Sequence, residues 1–333
     1  MTKQTLKNFA LALGLSGLTL IPSTGLAQVA FSPRLPGKNP VSAAARAASH
    51  QTKTPGSPSY TYTLLSFPGT LYTYPEGINS GATTSKIEIV GGAGQGGFLA
   101  KVSEKKTVTE TYVAVNYPHE PAEQTADDIN DSGQIVGSYN DSSGVTHGYE
   151  RSAGKFTTLN VPFAGATTTA AFGINNSGEI VGQWTDNDGG EHAFTLIGDT
   201  YASFDYPGAK FTTATDVNNA GVIVGTYEDT SFVVHGYLLS GGTYTSIDFP
   251  GAVFTNSTGI NDAGDIVGTY CLTSECLSNS EGAQGYLLSG GVFTTIAIPD
   301  EFYTYVVDIN NNGVLLGGYV DAAGLAVFFL ATP

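Results

Sequence analysis

From residue 60 onward, hydrophobic and polar positions alternate in short runs that end in turn-forming residues. In one span of the chain, TTTAAFGIN, EIVGQW, HAFTLI and YASFDYP each show the period-two pattern of a β-strand. The segments Asn176-Ser177-Gly178, TDNDGG and Gly198-Asp199 separate these runs and are typical of tight turns and short loops. The pattern therefore predicts a unit of four consecutive antiparallel strands.

This unit recurs along the chain. Three copies match closely: FGINNSGEIVGQW, TDVNNAGVIVGTY and TGINDAGDIVGTY. The set is completed by DDINDSGQIVGSY, VDINNNGVLLGGY and a longer version, EGINSGATTSKIEIVGG. Successive copies are separated by 51, 45, 43, 43 and 49 residues. Such spacings are typical of the four-stranded blades of a β-propeller. Each copy is anchored by one asparagine: Asn79, Asn130, Asn175, Asn218, Asn261 and Asn310.

The two ends of the repeat array complement each other. TYTLLSFPG (61–69) is a lone fourth strand, whereas LAVFFLATP (325–333) is a third strand without a fourth. If the N-terminal strand completes the last blade, the ring closes and no sheet edge stays open. An open β-solenoid would need capping segments, and the sequence shows none. We therefore predict an all-β, six-bladed β-propeller of four-stranded blades, closed by the N-terminal strand.

The first 59 residues have a different pattern. Lys3 and Lys7 precede an apolar run and the small-residue end Gly25-Leu26-Ala27, which predicts a signal peptide over residues 1–27. The alternative, a membrane anchor, would need a longer apolar run of about 20 residues. Residues 28–59 are rich in Pro, Ala and Ser and predict a disordered leader, followed by the six repeats over 60–333. We expect a secreted or periplasmic protein with no membrane span in the mature chain.

Composition and charge narrow the classes of partner. The chain has 43 Gly, 18 Tyr and 17 Phe, which favours short strands with tight turns over helices. Its net charge is −16, and loss of the predicted signal peptide would remove two lysines and no acids. A surface this acidic repels phosphate backbones and anionic lipids, which excludes nucleic acid as a partner class. Cations and neutral polymers remain as partner classes.

The two cysteines lie close together. Cys271 and Cys276 stand in the segment YCLTSEC. In an exported chain this spacing predicts one disulfide that closes a small loop. Two free thiols or half of a metal site are the alternatives.

The repeat resembles a known family. Its core, GIN-x-x-G-x-IVG, is followed by His192-Ala193-Phe194, with related versions at His147-Gly148-Tyr149, His235-Gly236-Tyr237 and Gln284-Gly285-Tyr286. This pattern resembles the bacterial extracellular repeat family called HAF after that tripeptide. The resemblance covers residues 61–331 and implies an exported repeat protein, without an agreed activity or catalytic residues. The first and last copies depart from this pattern, at Gln95-Gly96-Gly97-Phe98 and Ala326-Val327-Phe328-Phe329.

The polar turns allow two interpretations. The NDSG, NNSG and NDAG turns resemble clusters that bind cations, but Asn and Asp also bond to nearby backbone while Gly takes the left-handed conformation. Recurrence in every copy favours the structural role. A calcium site has a better candidate in the loop TDNDGGEH, where Asp186, Asp188 and Glu191 could supply oxygens, although its spacing lacks a complete calcium-loop pattern. Otherwise we expect no cofactor.

Four further residues invite a functional interpretation. His147, His192 and His235 occupy equivalent positions in three copies, too far apart to share one metal. We expect each to bond to a backbone or hydroxyl group between sheets. Trp184 stands where other copies have tyrosine, which favours packing between blades over stacking on a sugar.

The sequence does not establish an enzyme. It contains no G-x-S-x-G, H-E-x-x-H or nucleotide-binding loop. Asp205 and Asp248 recur in the DYPGA and DFPGA segments and could act as paired glycosidase acids, but their recurrence again favours a role in every blade. Enzymatic activity is therefore left open, with the balance against it.

The predicted ring places the candidate residues on one face. Loops between second and third strands share a face with the connections between blades, and that face is the predicted ligand-binding site. It would carry Asp186, Asp188, Glu191, Asp205 and Asp248, with the disulfide loop beside them. The leading hypothesis is a binding or scaffold module for an extracellular polymer or protein. The alternatives are a propeller glycan hydrolase or lyase and a structural component of the envelope or matrix.

Overall fold

The computed structural model shows six four-stranded antiparallel sheets arranged in a ring. It describes residues 60–65, 73–81, 87–94, 96–102, 113–120, 123–274, 276, 282–298, 301, 303–321 and 326–333. The predicted signal peptide and leader lie outside the described residues. Within them, no helix is long and apolar enough to cross a membrane.

Each sheet is one blade, and its strands follow one another in the chain. Blade 1 is β2 (Thr73–Ile78), β3 (Glu88–Ala93), β4 (Gly96–Lys101) and β5 (Val113–Val115). Blade 2 is β6 (Gln124–Ile129), β7 (Ile135–Asn140), β8 (Thr146–Ser152) and β9 (Lys155–Leu159). Blade 3 is β10 (Thr168–Ile174), β11 (Ile180–Thr185), β12 (Glu191–Ile197) and β13 (Thr200–Phe204).

The second half of the ring repeats this order. Blade 4 is β14 (Phe211–Val217), β15 (Ile223–Glu228), β16 (Val234–Ser240) and β17 (Thr243–Ile247). Blade 5 is β18 (Phe254–Ile260), β19 (Ile266–Cys271), β20 (Gln284–Ser289) and β21 (Val292–Ile296). Blade 6 is β22 (Tyr303–Ile309), β23 (Leu315–Val320), β24 (Ala326–Thr332) and the N-terminal strand β1 (Thr61–Leu65).

The ring closes as the sequence predicts. Strand β1 pairs antiparallel with β24, from Thr61 opposite Thr332 to Leu65 opposite Phe328. This pairing makes β1 the fourth strand of blade 6. The six-bladed propeller with its N-terminal closing strand is confirmed, and the end blades are complete despite their departures from the repeat pattern.

Packing within a blade explains the recurring aromatic residue of the third strand. Phe194 is fully buried, and its ring lies over Gly182 of the second strand. A Cβ at Gly182 would stand 2.1 Å from the carbonyl oxygen of Ala170 and 2.9 Å from the Phe194 ring. The glycine of the IVG segment is therefore required by the close approach of the first strand and the aromatic ring. The equivalent aromatic residues are also fully buried: Phe98, Tyr149, Tyr237, Tyr286 and Phe329.

Packing between blades explains the small residue before that aromatic. A Cβ at Gly236 would meet Ser257 Oγ of blade 5 at 2.4 Å, and at Gly285 it would meet Val306 of blade 6 at 2.7 Å. In blade 3 the same position is Ala193, which is fully buried and packs in a cluster with Ala214 of blade 4. The small residue thus sets how closely neighbouring blades approach.

Candidate functional site

The strand order gives the ring two distinct faces. We call the face with the loops between second and third strands and the connections between blades the loop face. We call the opposite face, which carries the turns between first and second strands, the turn face. Each face has its own set of polar side chains.

On the loop face, an aspartate organises the same loop in blades 2, 3 and 4. In blade 3, Asp186 Oδ1 accepts the main-chain N–H groups of Asp188 at 2.8 Å and Gly190 at 2.7 Å. Asp141 and Asp229 accept the corresponding pairs of N–H groups in blades 2 and 4. One carboxylate oxygen therefore builds each loop, while the other points at a histidine.

Each of these histidines lies between two polar side chains. His192 Nε2 is 3.3 Å from Asp186 Oδ2, and its Nδ1 is 3.0 Å from Asp205 Oδ2. His235 lies between Asp229 at 3.7 Å and Asp248 at 2.6 Å. In blade 2, His147 contacts Asp141 at 3.2 Å and Asn160 Oδ1 at 2.8 Å.

The partners predicted for the histidines were wrong. The three imidazoles bond to carboxylate and amide oxygens instead of backbone or hydroxyl groups. The cause is the hairpin between third and fourth strands, which brings residues 13 positions apart in the chain side by side. The fourth-strand ends Asn160, Asp205 and Asp248 are thereby placed against the rings.

Each of the imidazoles of blades 3 and 4 stacks with one ring face on an aromatic side chain. His235 stacks on Tyr227, with ring centroids 4.9 Å apart, and Tyr227 stacks on Tyr206 at 3.7 Å. In blade 3 the stack is His192 on Trp184 at 4.6 Å, followed by Phe163 at 5.1 Å. These stacks hold the histidines in one orientation.

Trp184 is a packing residue, in agreement with the sequence-based interpretation. It is only 8% exposed and lies between Phe163 and His192. Its indole N–H donates to Ser203 Oγ at 2.9 Å. With both faces of the indole occupied, a sugar ring has no surface on which to stack.

In blades 3 and 4, the electrostatics of the clusters favour an imidazolium paired with carboxylates. Burial lowers the pKa of His192, but the hydrogen bonds with Asp205 and Asp186 outweigh it, and the net shift is upward. For His235 the bond with Asp248 is the largest cause, and the pKa is also raised. The same bond is the main reason that the pKa of Asp248 is lowered. Both partners of the pair His235 and Asp248 therefore tend toward their charged forms.

A proton NMR titration of the His192 ring tests this arrangement. We expect a titration midpoint above 6.5, the value of an unperturbed imidazole. Asp205→Asn removes one of the two carboxylates and should lower the midpoint, whereas Asp199→Asn, in the turn between β12 and β13, should leave it in place. An unchanged midpoint in the Asp205→Asn chain would show that this pair does not control the imidazole.

The structure does not bring the predicted calcium ligands together around one point. Asp186 uses both oxygens, for loop amides and for His192, while Asp188 is exposed at the loop tip. Glu191 begins β12, opposite Thr185. No group of three or more His, Cys, Asp or Glu side chains in the described ranges is arranged to hold a metal ion. Calcium binding in this loop stays a prediction, and a calorimetric titration with calcium would test it.

Asp205 and Asp248 are brought to the same face but to different blades. Each is bonded to the histidine of its own blade. Their side chains are 46% and 52% exposed, so each keeps surface available to a ligand. The paired-acid hypothesis for glycosidase chemistry is not tested by this arrangement.

The disulfide is present at the same face. Cys271 ends β19 and is joined to Cys276, with Cα atoms 5.8 Å apart. Both sulfur residues are buried beside Val234 and Phe254 of blades 4 and 5. The predicted bridge is confirmed, and it closes a small loop next to the clusters.

On the turn face, the repeated asparagines form a closed ring of hydrogen bonds. In blade 3, Asn175 Oδ1 accepts the N–H groups of Ser177 and Glu179 in its own turn, which confirms the structural interpretation of these turns. Its Nδ2 donates to the main-chain oxygen of Asn218 in blade 4 at 3.0 Å. The same bond runs from every blade to the next around the ring, at 3.0–3.5 Å.

A second ring lies outside the first. The main-chain N–H of Asn176 donates to the side chain of Asn219 in the next blade at 2.8 Å, and the residue after each asparagine repeats this contact. The acceptors are Asp131, Asn176, Asn219, Asp262, Asn311 and Ser80. The turn face is thus cross-linked by side chains rather than arranged as open binding loops.

Three carboxylates that the sequence reasoning missed line the channel beneath these rings. Asp128, Asp216 and Asp308 surround a cavity of about 60 Å³ at the turn face. In each, Oδ1 accepts the N–H of the next residue and Oδ2 accepts an isoleucine N–H of the next blade, at 2.7–2.8 Å. These aspartates therefore join blade 2 to 3, blade 4 to 5 and blade 6 to 1.

Glycines in the alternate blades make room for these carboxylates. The position of Asp128, Asp216 and Asp308 is held in the other blades by Gly77, Gly173 and Gly259. A Cβ at Gly173 would stand 2.7 Å from Asp216 Cα. The alternation is visible in the sequence as GIN, DIN, GIN, DVN, GIN and DIN, and it could have identified the three acids.

The three channel acids are protonated more readily than ordinary aspartates. Burial raises the pKa of Asp216 to about 7. Burial also raises the pKa of Asp128 and Asp308, and repulsion from Asp216 adds to the shift. Their main-chain hydrogen bonds act in the opposite direction but do not cancel the effect.

Comparisons with known proteins agree on the fold. The sequence matches no protein-family model and no curated protein. Among solved structures, a putative TolB from Agrobacterium tumefaciens is similar with a TM-score of 0.52 and 9% identity, over 78% of this chain and 91% of that one. AofleA from Arthrobotrys oligospora has a TM-score of 0.51 and 11% identity, over 86% and 89%. The chain is a β-propeller.

A third solved structure has a lower score. The Aleuria aurantia lectin, described as a six-bladed β-propeller with a novel fucose recognition mode, has a TM-score of 0.48 and 10% identity, over 77% of this chain and 91% of that one. At such identities these likenesses concern the fold alone. A function for this propeller has to be argued from its own faces.

Proposed function

We propose that this propeller is an exported binding module that holds a neutral extracellular polysaccharide on its loop face. The proposal rests on one cluster that recurs in three consecutive blades. Each copy consists of an organising aspartate, a histidine and an exposed oxygen acceptor. A polymer presents its own units repeatedly, so it can engage several similar weak sites at once and gain affinity from their combination.

The chemistry of the clusters suits hydroxyl-rich ligands. The exposed oxygens of Asp205 and Asp248 accept hydrogen bonds, and their orientation is fixed by the histidines and the aromatic stacks behind them. Preorganised polar groups of this kind lose little entropy when a ligand binds. The acidic surface disfavours polyanions, which leaves neutral sugars as the better match.

Export is part of the same proposal. The charged and apolar start of the chain, the resemblance to the HAF extracellular repeats and the disulfide all support it. The oxidised cysteine pair is consistent with a compartment outside the cytoplasm.

Thermal melting with a panel of soluble neutral polysaccharides tests the proposal. A specific ligand raises the melting temperature of the wild-type chain by mass action. The double variant Asp205→Asn/Asp248→Asn should lose most of that rise and bind at least about tenfold more weakly in calorimetry. Asp199→Asn, which alters an exposed acid on the turn face, is the matched control and should bind like the wild type. If the double variant and the wild type bind equally, the loop-face clusters are not the site.

A further inference from the structure

One residue of the loop face breaks the pattern of the clusters. The loops of blades 2, 3 and 4 share a turn in which the fourth residue donates its N–H to the carbonyl oxygen of the organising aspartate. That fourth residue is Gly144 in blade 2 and Gly189 in blade 3, with φ of 80° and 78°. In blade 4 it is Phe232, with φ of 66° and the same bond to Asp229 at 3.1 Å.

This substitution has a cost that the fold does not require. A left-handed conformation brings the Cβ of an ordinary residue too close to its own backbone, and for a bulky aromatic it is a genuine outlier. Two sister loops adopt the same turn with glycine and without strain. Backbone strain of this kind persists where a side chain has a task at that position.

The ring is also unusually exposed for its type. Phe232 is 44% exposed at the tip of its loop. The ammonium group of Lys210, from the connection between blades 3 and 4, lies over the ring. The backbone conformation and the lysine, which lies over the ring, thus hold the side chain in place while the residue as a whole stays 44% exposed.

The surroundings of the ring indicate the class of ligand. Asp229 organises the loop and faces His235, whose other nitrogen bonds Asp248. An apolar flat surface next to charged oxygen acceptors matches a sugar ring, which has an apolar C–H face and hydroxyl groups at its edge. A protein partner would instead favour a broad apolar patch with few charges at its centre.

We infer that Phe232 is the stacking platform for one sugar ring of a neutral polysaccharide on the loop face. The inference rests on the proposed function and adds to it the residue that contacts the apolar side of the sugar. Blade 4 would then bind more tightly than blades 2 and 3, which have the hydrogen-bonding cluster but no aromatic ring at this position.

Two variants separate this role from a role in the fold. Phe232→Gly converts the loop to the form seen in blades 2 and 3, and Phe232→Tyr keeps an aromatic ring. Ile197→Ser is the matched control, because Ile197 is another exposed apolar residue, 60% exposed and at the opposite face. Each chain is studied by thermal melting alone and by calorimetry with dextran, xylan and laminarin.

The expected result has two parts. Phe232→Gly melts at the same temperature as the wild type or a few degrees higher, since glycine relieves the strain. Its affinity for the bound polysaccharide falls about tenfold. Phe232→Tyr and Ile197→Ser bind like the wild type.

Three other results would overturn the inference. A lower melting temperature of Phe232→Gly would show that the ring serves the fold through Lys210. Equal binding by Phe232→Gly and the wild type would remove Phe232 from the site and leave the proposed function standing. A wild-type chain that binds none of the three polysaccharides would reject both, and a protein partner would become the alternative.

Discussion

A chain that begins after Leu65 should lose most of its stability, whereas a chain that begins at Tyr60 should not. The shorter chain lacks β1, which supplies the fourth strand of blade 6. It also loses the buried side chains of Tyr60, Tyr62 and Leu65, each worth about 1.5–3 kcal/mol when fully buried. The combined loss of about 4.5–9 kcal/mol is comparable with the whole stability of many domains.

The two truncations form a matched pair. Removal of residues 1–59 takes away the predicted signal peptide and leader but keeps β1 and its pairing with β24. We expect urea unfolding of this chain to match that of the chain lacking only residues 1–27. The chain that begins at residue 66 should unfold at a much lower urea concentration and should associate through the exposed edge of β24. Equal unfolding midpoints for both truncations would show that closure by β1 does not stabilise the ring.

Stability should fall as the pH rises from 5 to 8, and Asp216→Asn should reduce that fall. The pKa of Asp216 is raised to about 7 in the folded chain, from 3.8 for an ordinary aspartate. The folded state therefore binds this proton more tightly than the unfolded state does. The resulting stabilisation is complete below a pH of about 4 and is lost as the pH rises through about 7. Because the channel mouth admits water, we expect about 1–2 kcal/mol from this group.

Other groups contribute to the same pH range and have to be separated from Asp216. The raised pKa values of His192 and His235 also give stability that is present at low pH and lost as the pH rises through those values. Asp216→Asn should therefore flatten the curve in part, while Asp188→Asn, an exposed loop acid, should leave it unchanged. Urea unfolding at each pH measures the slope. An Asp216→Asn chain with the wild-type slope would mean that Asp216 stays ionised throughout this range.

The fold could be predicted because the repeat itself contains the residues that form its turns and pack its strands. The GIN-x-x-G-x-IVG core contains the turn asparagine, the turn glycine and the glycine that faces the third-strand aromatic. A lone strand at one end and a missing strand at the other then determine closure. Each of these features depends on local sequence and on simple counting of strands, which period-two patterns reveal well.

The channel acids were not predicted, although their alternation is plain in the sequence. Each first strand contains a β-bulge just before this position, for example between Ala214 and Asp216 in blade 4. A bulge adds one residue to a strand and changes the face to which the following side chains point. The period-two pattern does not show where this happens, so by itself it does not assign Asp216 to the channel. The alternation of glycine and aspartate was the signal that could have marked this position.

The aspartates of the clusters were predicted on the loop face, where the structure has them, but the histidines were given the wrong partners. Their position at the start of the third strand follows from the repeat. Their bonds to Asp205 and Asp248 depend on the register of the hairpin between third and fourth strands, which sets which residues lie side by side. Phe232 does have a signal in the aligned loops, where the Asp-x-x-Gly-x-x-His spacing of blades 2 and 3 becomes Asp-x-x-Phe-x-x-His in blade 4. The positive φ at this position then shows why glycine is the ordinary residue there.

The alternation of glycine and aspartate around the channel means that the ring is built from three pairs of blades rather than six equal ones. Within a pair, Gly173 receives Asp216, and between pairs the carboxylate of Asp216 bonds to Ile260. A propeller with an odd number of blades would have to place two aspartates or two glycines side by side. This repeat therefore requires an even number of blades. A related chain could gain or lose blades two at a time and keep the alternation of glycine and aspartate. The natural unit of duplication is a segment of two blades.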